Sequence, residues 1–209
     1  MGLTQVLSPL SFVTANITFG RETGYLSEQH KLVGKTVEIV PGAFLPLTFV
    51  ENRPDERNNV ILFVNFDRAF PVVHGSLEAS YRYYRDTFGV ASNALEIQWF
   101  ERIGPSFVVR PRVRFYDQAA AKFYHYDLNL TDIVPTFVAS SSGPFYSSDY
   151  RLSSMNTLAY GVKVSWTVWS HLGFELAFDR YEMRGRDHVT PKSAYPIAGI
   201  FTLCSSLTW

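Results

Sequence analysis

Charged side chains recur at every second position along several stretches of this chain. Arg110, Arg112 and Arg114 form the clearest run, and Glu78 and Arg82 lie in a similar one. Because successive side chains of a β-strand point to opposite faces, the charged residues of each run share a face. We expect ten of them to form one charge network: Arg82, Arg110, Arg112, Arg114, Lys163, Asp67, Glu78, Glu96, Glu175 and Asp179.

Two kinds of chemistry are open to such a network. If eight strands close into a barrel, the interior is only wide enough for side chains, so the charges must pair into a plug. Glu96 would then pair as a cross-strand neighbour of the arginines, while Glu78, Glu175 and Asp179 would reach across the lumen. Alternatively, the arginines line a polar or anion-selective pore, which a wider barrel would favour.

Signals for catalysis are weak. The five histidines form no His-Glu-x-x-His pattern, and the chain has neither a Gly-x-Ser-x-Gly elbow nor a phosphate-binding glycine loop. Cys204 is the single cysteine, which excludes an internal disulfide and a cysteine-based zinc site. His125, Asp127, Asp187 and His188 fall outside the alternating stretches, in predicted loops, where Asp and His side chains could act together in hydrolysis. A loop-based hydrolase is therefore the alternative, but we expect no catalytic residue, metal or cofactor.

The residues that alternate with the charges are apolar or aromatic. These runs exceed ten residues, and a tilted strand that crosses a bilayer needs ~9–11. The pattern predicts an all-β fold, a transmembrane antiparallel up-and-down β-barrel. We expect these side chains to face lipid: Leu77, Tyr81, Tyr83, Leu95, Ile97, Trp99, Val162, Val164, Trp166, Phe174, Leu176 and Phe178.

The alternation predicts eight strands within a single domain of 209 residues. They cover residues 12–22, 57–69, 76–87, 93–103, 107–118, 157–169, 172–184 and 195–209. Connections are alternately short and mostly longer, as in outer-membrane barrels with short periplasmic turns and long extracellular loops. The longest, residues 119–156, is expected to be either a cap over the barrel mouth or a recognition surface.

The end of the chain resembles an insertion signal. Phe201, Leu203, Leu207 and Trp209 keep an apolar alternation up to a terminal aromatic residue, which the outer-membrane insertion machinery recognises. The expected partners are that machinery and a lipid bilayer with lipopolysaccharide, or detergent in its place. The net charge of zero argues against nucleic acid. No basic, apolar leader is visible, so we expect a mature form, a recombinant form or a fragment.

A soluble β-sandwich remains the alternative fold, because alternation alone does not tell which face is outside. Composition favours the membrane: aromatic residues reach 16%, and charged residues only 18%. Soluble domains carry about 25% charged residues.

Several sequence blocks carry a family resemblance. They read GLTQVLSP from residue 2, GYLS from 24, ENRPDER from 51, SYRYYRD from 80, RPRVRFYDQAAAKFY from 110 and SSDYRLS from 147. In this order they are similar to a family of Gram-negative outer-membrane proteins catalogued as a domain of unknown function. The resemblance implies a barrel in the bacterial outer membrane with no assigned reaction. It also implies that this chain corresponds to the C-terminal half of longer family members.

Together these patterns predict an integral outer-membrane barrel that acts as a scaffold or as a narrow, porin-like transport protein with a charge-paired lumen. The alternative is a surface enzyme, or a protein that binds a ligand or partner through its extracellular loops.

Overall fold

The computed structural model describes residues 1–169 and 171–207, whose regular secondary structure is almost all β-strand. Three short 3-10 helices lie at Pro71–Val73, Tyr150–Leu152 and Lys192–Ala194. The strands are β1 (Gly2–Ser8), β2 (Ser11–Thr23), β3 (Leu32–Val40), β4 (Ala43–Val50), β5 (Glu56–Phe70), β6 (Gly75–Asp86), β7 (Ala91–Ile103), β8 (Phe107–Gln118), β9 (Met155–Trp169), β10 (Leu172–Gly185) and β11 (Ile197–Leu207).

Nine of these strands form one antiparallel sheet in the order β1-β2-β5-β6-β7-β8-β9-β10-β11. The hairpin β3–β4 is a separate two-stranded sheet inserted between β2 and β5. Each of the eight predicted segments overlaps one of β2, β5–β11. Residue 209, the predicted end of the last strand, lies outside the described residues. The sequence analysis missed β1, which gives the main sheet nine strands rather than eight among the described residues, and it missed the separate hairpin.

The sheet does not close on itself within the described residues. β1 pairs with β2 alone, and β11 pairs with β10 alone. The physical reason is parity: in an antiparallel meander of nine strands, the first and last point in the same direction. β1 and β11 therefore cannot complete the antiparallel ladder, and residues 1–169 and 171–207 do not form the expected eight-stranded closure.

The two ends of the sheet differ. At one end the connections are short, as in the turn between β7 and β8, where Gly104 adopts a φ of +62° that suits a residue without a Cβ. At the other end lie residues 24–55, 87–90, 119–154 and 186–196, which we call the cap. The predicted asymmetry of the connections is therefore present.

The cap has its own apolar core. One buried cluster consists of Phe88, Val90, Ala121, Phe123 and Leu152. A second cluster joins the hairpin to the long loop and consists of Val33, Phe49, Leu128 and Tyr146. Most buried apolar residues belong to the cap, whereas the apolar face of the main sheet is largely exposed. Among the described residues, no helix has the length and apolar character needed to cross a membrane.

Candidate functional site

Strand register places the ten predicted charged residues on one face of the main sheet, which we call the polar face. Gln98, Arg112, Gly161 and Asp179 form one row across β7–β10. Asp67 lies directly opposite Glu78, in line with the same row. The remaining members follow at even steps along their strands, so the period-two pattern is what positions them.

The pair between Arg112 and Asp179 spans a whole strand. Arg112 Nε donates to Asp179 Oδ1 at 2.8 Å, although β9 lies between β8 and β10. The intervening residue is Gly161, and a Cβ there would come within 2.1 Å of Asp179 Oδ1. The missing side chain therefore opens the path for this contact. Asp179 reaches the arginine along the sheet, not across a lumen as the sequence analysis expected.

Two further ion pairs follow the sheet. Arg114 Nη1 lies 3.6 Å from Glu96 Oε2, its direct cross-strand neighbour. Lys163 Nζ lies 2.5 Å from Glu175 Oε2, which also accepts a hydrogen bond from Ser165 through its other oxygen at 3.1 Å. Glu175 is therefore satisfied along the sheet as well.

Four predicted members lack an ionic partner within the described part of the chain. Asp67 and Glu78 face each other with no cation in ion-pair reach, and Asp67 accepts a hydrogen bond from Asn65 at 2.6 Å. Arg110 lies over the Phe100 ring at 5.2 Å. Arg82 is exposed and has neither a carboxylate nor a ring partner. The polar face is thus a partly paired surface, not a fully paired network.

The predicted apolar set lies on the opposite face, which we call the apolar face. Tyr81 opposes Leu95, and Val162 opposes Phe178. Phe201, Leu203 and Leu207 of β11 are on this same face and are each about two-thirds exposed. Trp209 lies outside the described residues. Residues of the predicted set with large exposed surfaces are Tyr81, Leu95, Ile97, Val162, Trp166, Phe174, Leu176 and Phe178.

Aromatic rings gather on the apolar face near the short turns. Trp166 stacks on Phe107 with ring centroids 5.7 Å apart and contacts Phe174 at 6.2 Å. Trp99 contacts Phe70 at 5.5 Å and donates its indole N–H to Glu101 at 2.8 Å. Sequence analysis did not single out Phe70 and Phe107, although their positions at strand ends are the signal for such a band.

A buried ionic cluster holds the cap together, and sequence analysis missed it. Glu51 is fully buried and accepts hydrogen bonds from Arg53 at 3.0 Å and Ser147 at 2.5 Å. Arg53 also donates to Asp149 at 2.9 Å. Arg151 Nη2 lies 2.7 Å from Asp149 Oδ2 and forms a second ion pair with it. Burial disfavours the charged form of Asp149, but hydrogen bonds from Arg151 and Arg53 outweigh it and lower the pKa of this carboxyl.

The loop residues considered for catalysis differ in their surroundings. Asp187 accepts hydrogen bonds from the backbone N–H groups of Val189 and Thr190, so it caps its own turn. His188 has a positive φ of 58° and is exposed. Burial lowers the pKa of His125. In residues 1–169 and 171–207, no group of three or more His, Cys, Asp or Glu side chains is arranged to hold a metal ion.

Residues 1–195 match the family model described as "Protein of unknown function (DUF3570)". Among solved structures, the fold is similar to that of in-vitro folded OmpT, an outer membrane protein of Vibrio cholerae, with a TM-score of 0.56 and 8% sequence identity. The similarity covers 97% of this chain and 52% of the OmpT chain, so this chain spans about half the length of that structure. No curated protein matches the chain.

Proposed function

This chain belongs to the family described as "Protein of unknown function (DUF3570)", and from its fold we propose that it is part of an integral outer-membrane β-barrel with a water-filled lumen. The polar face lines the lumen and the apolar face contacts lipid. The observation that carries this proposal is one nine-stranded antiparallel sheet with a charged face and an uncovered apolar face. The role that fits best is porin-like passage of small polar solutes.

A bilayer explains the apolar face better than a β-sandwich does. A sandwich buries its apolar face against a second sheet. The second sheet of this chain is the two-stranded hairpin in the cap, whose buried contacts are with loop residues. Leaving apolar surface in water costs about 25 cal/mol per Å². Contact with lipid removes that cost over the whole face.

The number of strands in the closed barrel can be inferred from the nine strands of this chain and from its length relative to OmpT. Bacterial single-chain barrels contain an even number of antiparallel strands. Nine strands therefore need an odd number of additional strands to close. A second copy of this sheet in the same orientation would instead create parallel seams. Since this chain matches 52% of OmpT, the whole barrel would contain on the order of 16–18 strands, a size that leaves an aqueous channel.

The ion pairs of the polar face suit such a channel better than a plug. The side chains of Arg112 and Arg114 are 44% and 47% exposed in the open sheet. Charges that remain solvated on a wall need no complete pairing, so unpaired Asp67, Glu78 and Arg82 are tolerated. In a lumen filled by side chains, the same unpaired charges would be very costly.

The proposed orientation follows the unequal connections. Short turns face the periplasm and the cap faces the exterior, as in other outer-membrane barrels. The proposed partners are lipid, lipopolysaccharide and the insertion machinery. The machinery would recognise the alternation Phe201, Leu203, Leu207 and Trp209 at the end of the chain.

Paired cysteine variants test the faces directly. In the full-length protein with Cys204→Ser, the adjacent variants Ile97→Cys and Gln98→Cys place a thiol on opposite faces of β7. We expect a water-soluble maleimide to label the Gln98→Cys variant, and a lipid-phase probe to reach only the Ile97→Cys variant. Single-channel conductance of the same protein tests the pore. Equal aqueous labelling of both positions would contradict the barrel.

A second candidate function is recognition of a ligand or partner by the cap. It is favoured by exposed apolar side chains on the hairpin and the long loop: Phe44, Leu130, Phe137 and Val138. The variants Phe44→Ser and Phe137→Ser would support this function if they conduct normally but no longer bind the ligand or partner.

A further inference from the structure

A cavity of about 390 Å³ lies where the polar face meets the cap. Its walls include Arg57, Arg82 and Arg151, the tyrosines Tyr84 and Tyr116, and the carboxylate of Glu22. Three guanidinium groups line this one cavity, so the partners that each of them already has decide what the cavity can bind.

The positive charge of Arg57 is already paired with a carboxylate that is not part of the cavity wall. Its Nη2 lies 2.7 Å from Asp86 Oδ2, and the side chain of Asp86 is fully buried. Asp86 also accepts hydrogen bonds from Tyr84 at 2.8 Å and from the backbone N–H of Val90 at 3.0 Å. Glu22, the carboxylate in the cavity wall, lies 4.0 Å from Arg57 Nη1, beyond hydrogen-bond distance.

Arg151 is likewise fixed by the cap. It donates to Asp149 at 2.7 Å and to Glu28 at 3.3 Å. Its carboxylate partner Asp149 is buried, so the positive group lies on the cavity side of the pair.

Arg82 differs from both. In the described part of the chain its side chain makes no hydrogen bond, ion pair or cation–π contact. Its cross-strand neighbours are Phe63 and Ala94, whose side chains have no acceptor. The nearest carboxylate along β7, Glu96, is held by Gln98 at 2.7 Å and by Arg114. Arg82 therefore presents an unused planar set of donors to the cavity.

We propose that this cavity binds the oxyanion of a small solute, a carboxylate or a phosphate, with Arg82 as its central ligand. This inference rests on the proposed pore. It specifies the solutes of the pore as small anions with a carboxylate or phosphate group, which bind in the cavity beneath the cap. A guanidinium binds such groups through two parallel hydrogen bonds. Tyr116 donates its hydroxyl to Gln118 at 2.5 Å, so the donors for the oxyanion come from the guanidinium groups and not from this hydroxyl.

The test combines binding with conduction in the full-length protein. Calorimetry with succinate and with inorganic phosphate measures affinity in detergent, and glucose is the neutral control. We expect Arg82→Ala to weaken binding about tenfold or more, because a charge-assisted hydrogen bond is lost. The affinity of Arg82→Lys should lie between that of the wild type and that of Arg82→Ala. Lysine keeps the positive charge but lacks the planar pair of N–H donors. Arg82→Gln serves if the alanine variant does not fold.

Arg85→Ala is the matched control, because it removes the same charge from the opposite face of β6. It should leave both affinity and conductance unchanged. Absence of succinate and phosphate binding, or binding that Arg82→Ala leaves intact, would overturn this inference even if the channel conducts. Binding that depends on Arg82 without any current would support the site and refute the pore. A preference for one probe identifies the carboxylate or the phosphate as the natural group.

Discussion

At the scale of single residues, Gly161 decides which charges of the polar face can meet. It is the small residue over which Arg112 reaches Asp179. The sequence pattern predicted that both charges share a face, because side-chain alternation is local. It could not predict their pairing across a strand, because that depends on register between β8, β9 and β10.

We expect Gly161→Ala to destabilise the folded barrel by ~1–3 kcal/mol, the usual cost of forcing extra atoms into a packed site. The added Cβ would lie 2.1 Å from Asp179 Oδ1 and 2.3 Å from the backbone oxygen of Phe178. Urea unfolding in lipid vesicles measures the change. Gly199→Ala is the control, since its Cβ would meet only the Phe178 ring at 3.6 Å. Equal losses for both variants would refute this account of Gly161.

Glu51 offers a second test at this scale. Removing its side chain leaves Arg53, whose side chain is only 13% exposed, with Asp149 alone. We expect Glu51→Ala to lower the free energy of cap opening by ~3–5 kcal/mol, as when one member of a buried pair is removed. Amide exchange at Asn52 and Tyr146 reports the opening. Glu56→Ala, which removes an exposed pair with Arg21, should leave this exchange unchanged.

At the scale of elements, the positions of eight strands could be predicted because a sheet with two different faces imposes a strict period of two on the sequence. β1 was missed because it is only seven residues long and is followed by Pro9. The hairpin β3–β4 was missed because Pro46 and Gly42 interrupt its pattern. The cap cluster joins Glu51 to Ser147 over 96 residues of sequence, and no local pattern contains such a contact.

The cap should open in acid. The pKa of Asp149 is lowered in the folded state, so its contribution to stability is fully present above the unfolded value of ~3.9. This stabilisation is lost as the pH falls from the unfolded-state pKa through the lower folded-state pKa of Asp149. Near-ultraviolet circular dichroism of the cap tyrosines, at constant ionic strength, follows this transition. Asp149→Asn should weaken the cap at neutral pH and flatten the acid dependence. Asp132→Asn, at an exposed cap position, should behave like the wild type.

At the scale of the whole molecule, closure was beyond sequence patterns because it depends on the parity of the strand count. Eight strands predicted a self-closed barrel, and the single additional strand β1 reverses that conclusion. The same change alters the expected chemistry of the polar face. A narrow lumen would have required complete pairing, whereas a wide one leaves charges in contact with water.

The cost of removing Arg112 therefore measures the width of the closed barrel. In the open sheet, the Arg112 side chain is 44% exposed and that of Asp179 is 17% exposed. A wide, wet lumen preserves this exposure, and a solvated pair contributes only about 0–1 kcal/mol. A lumen packed with side chains would bury the pair, and breaking it would then cost ~3–5 kcal/mol. For the full-length protein we expect Arg112→Ala to fall in the lower range, together with steady current through the wild-type channel. A loss in the higher range without current would instead identify a plugged barrel.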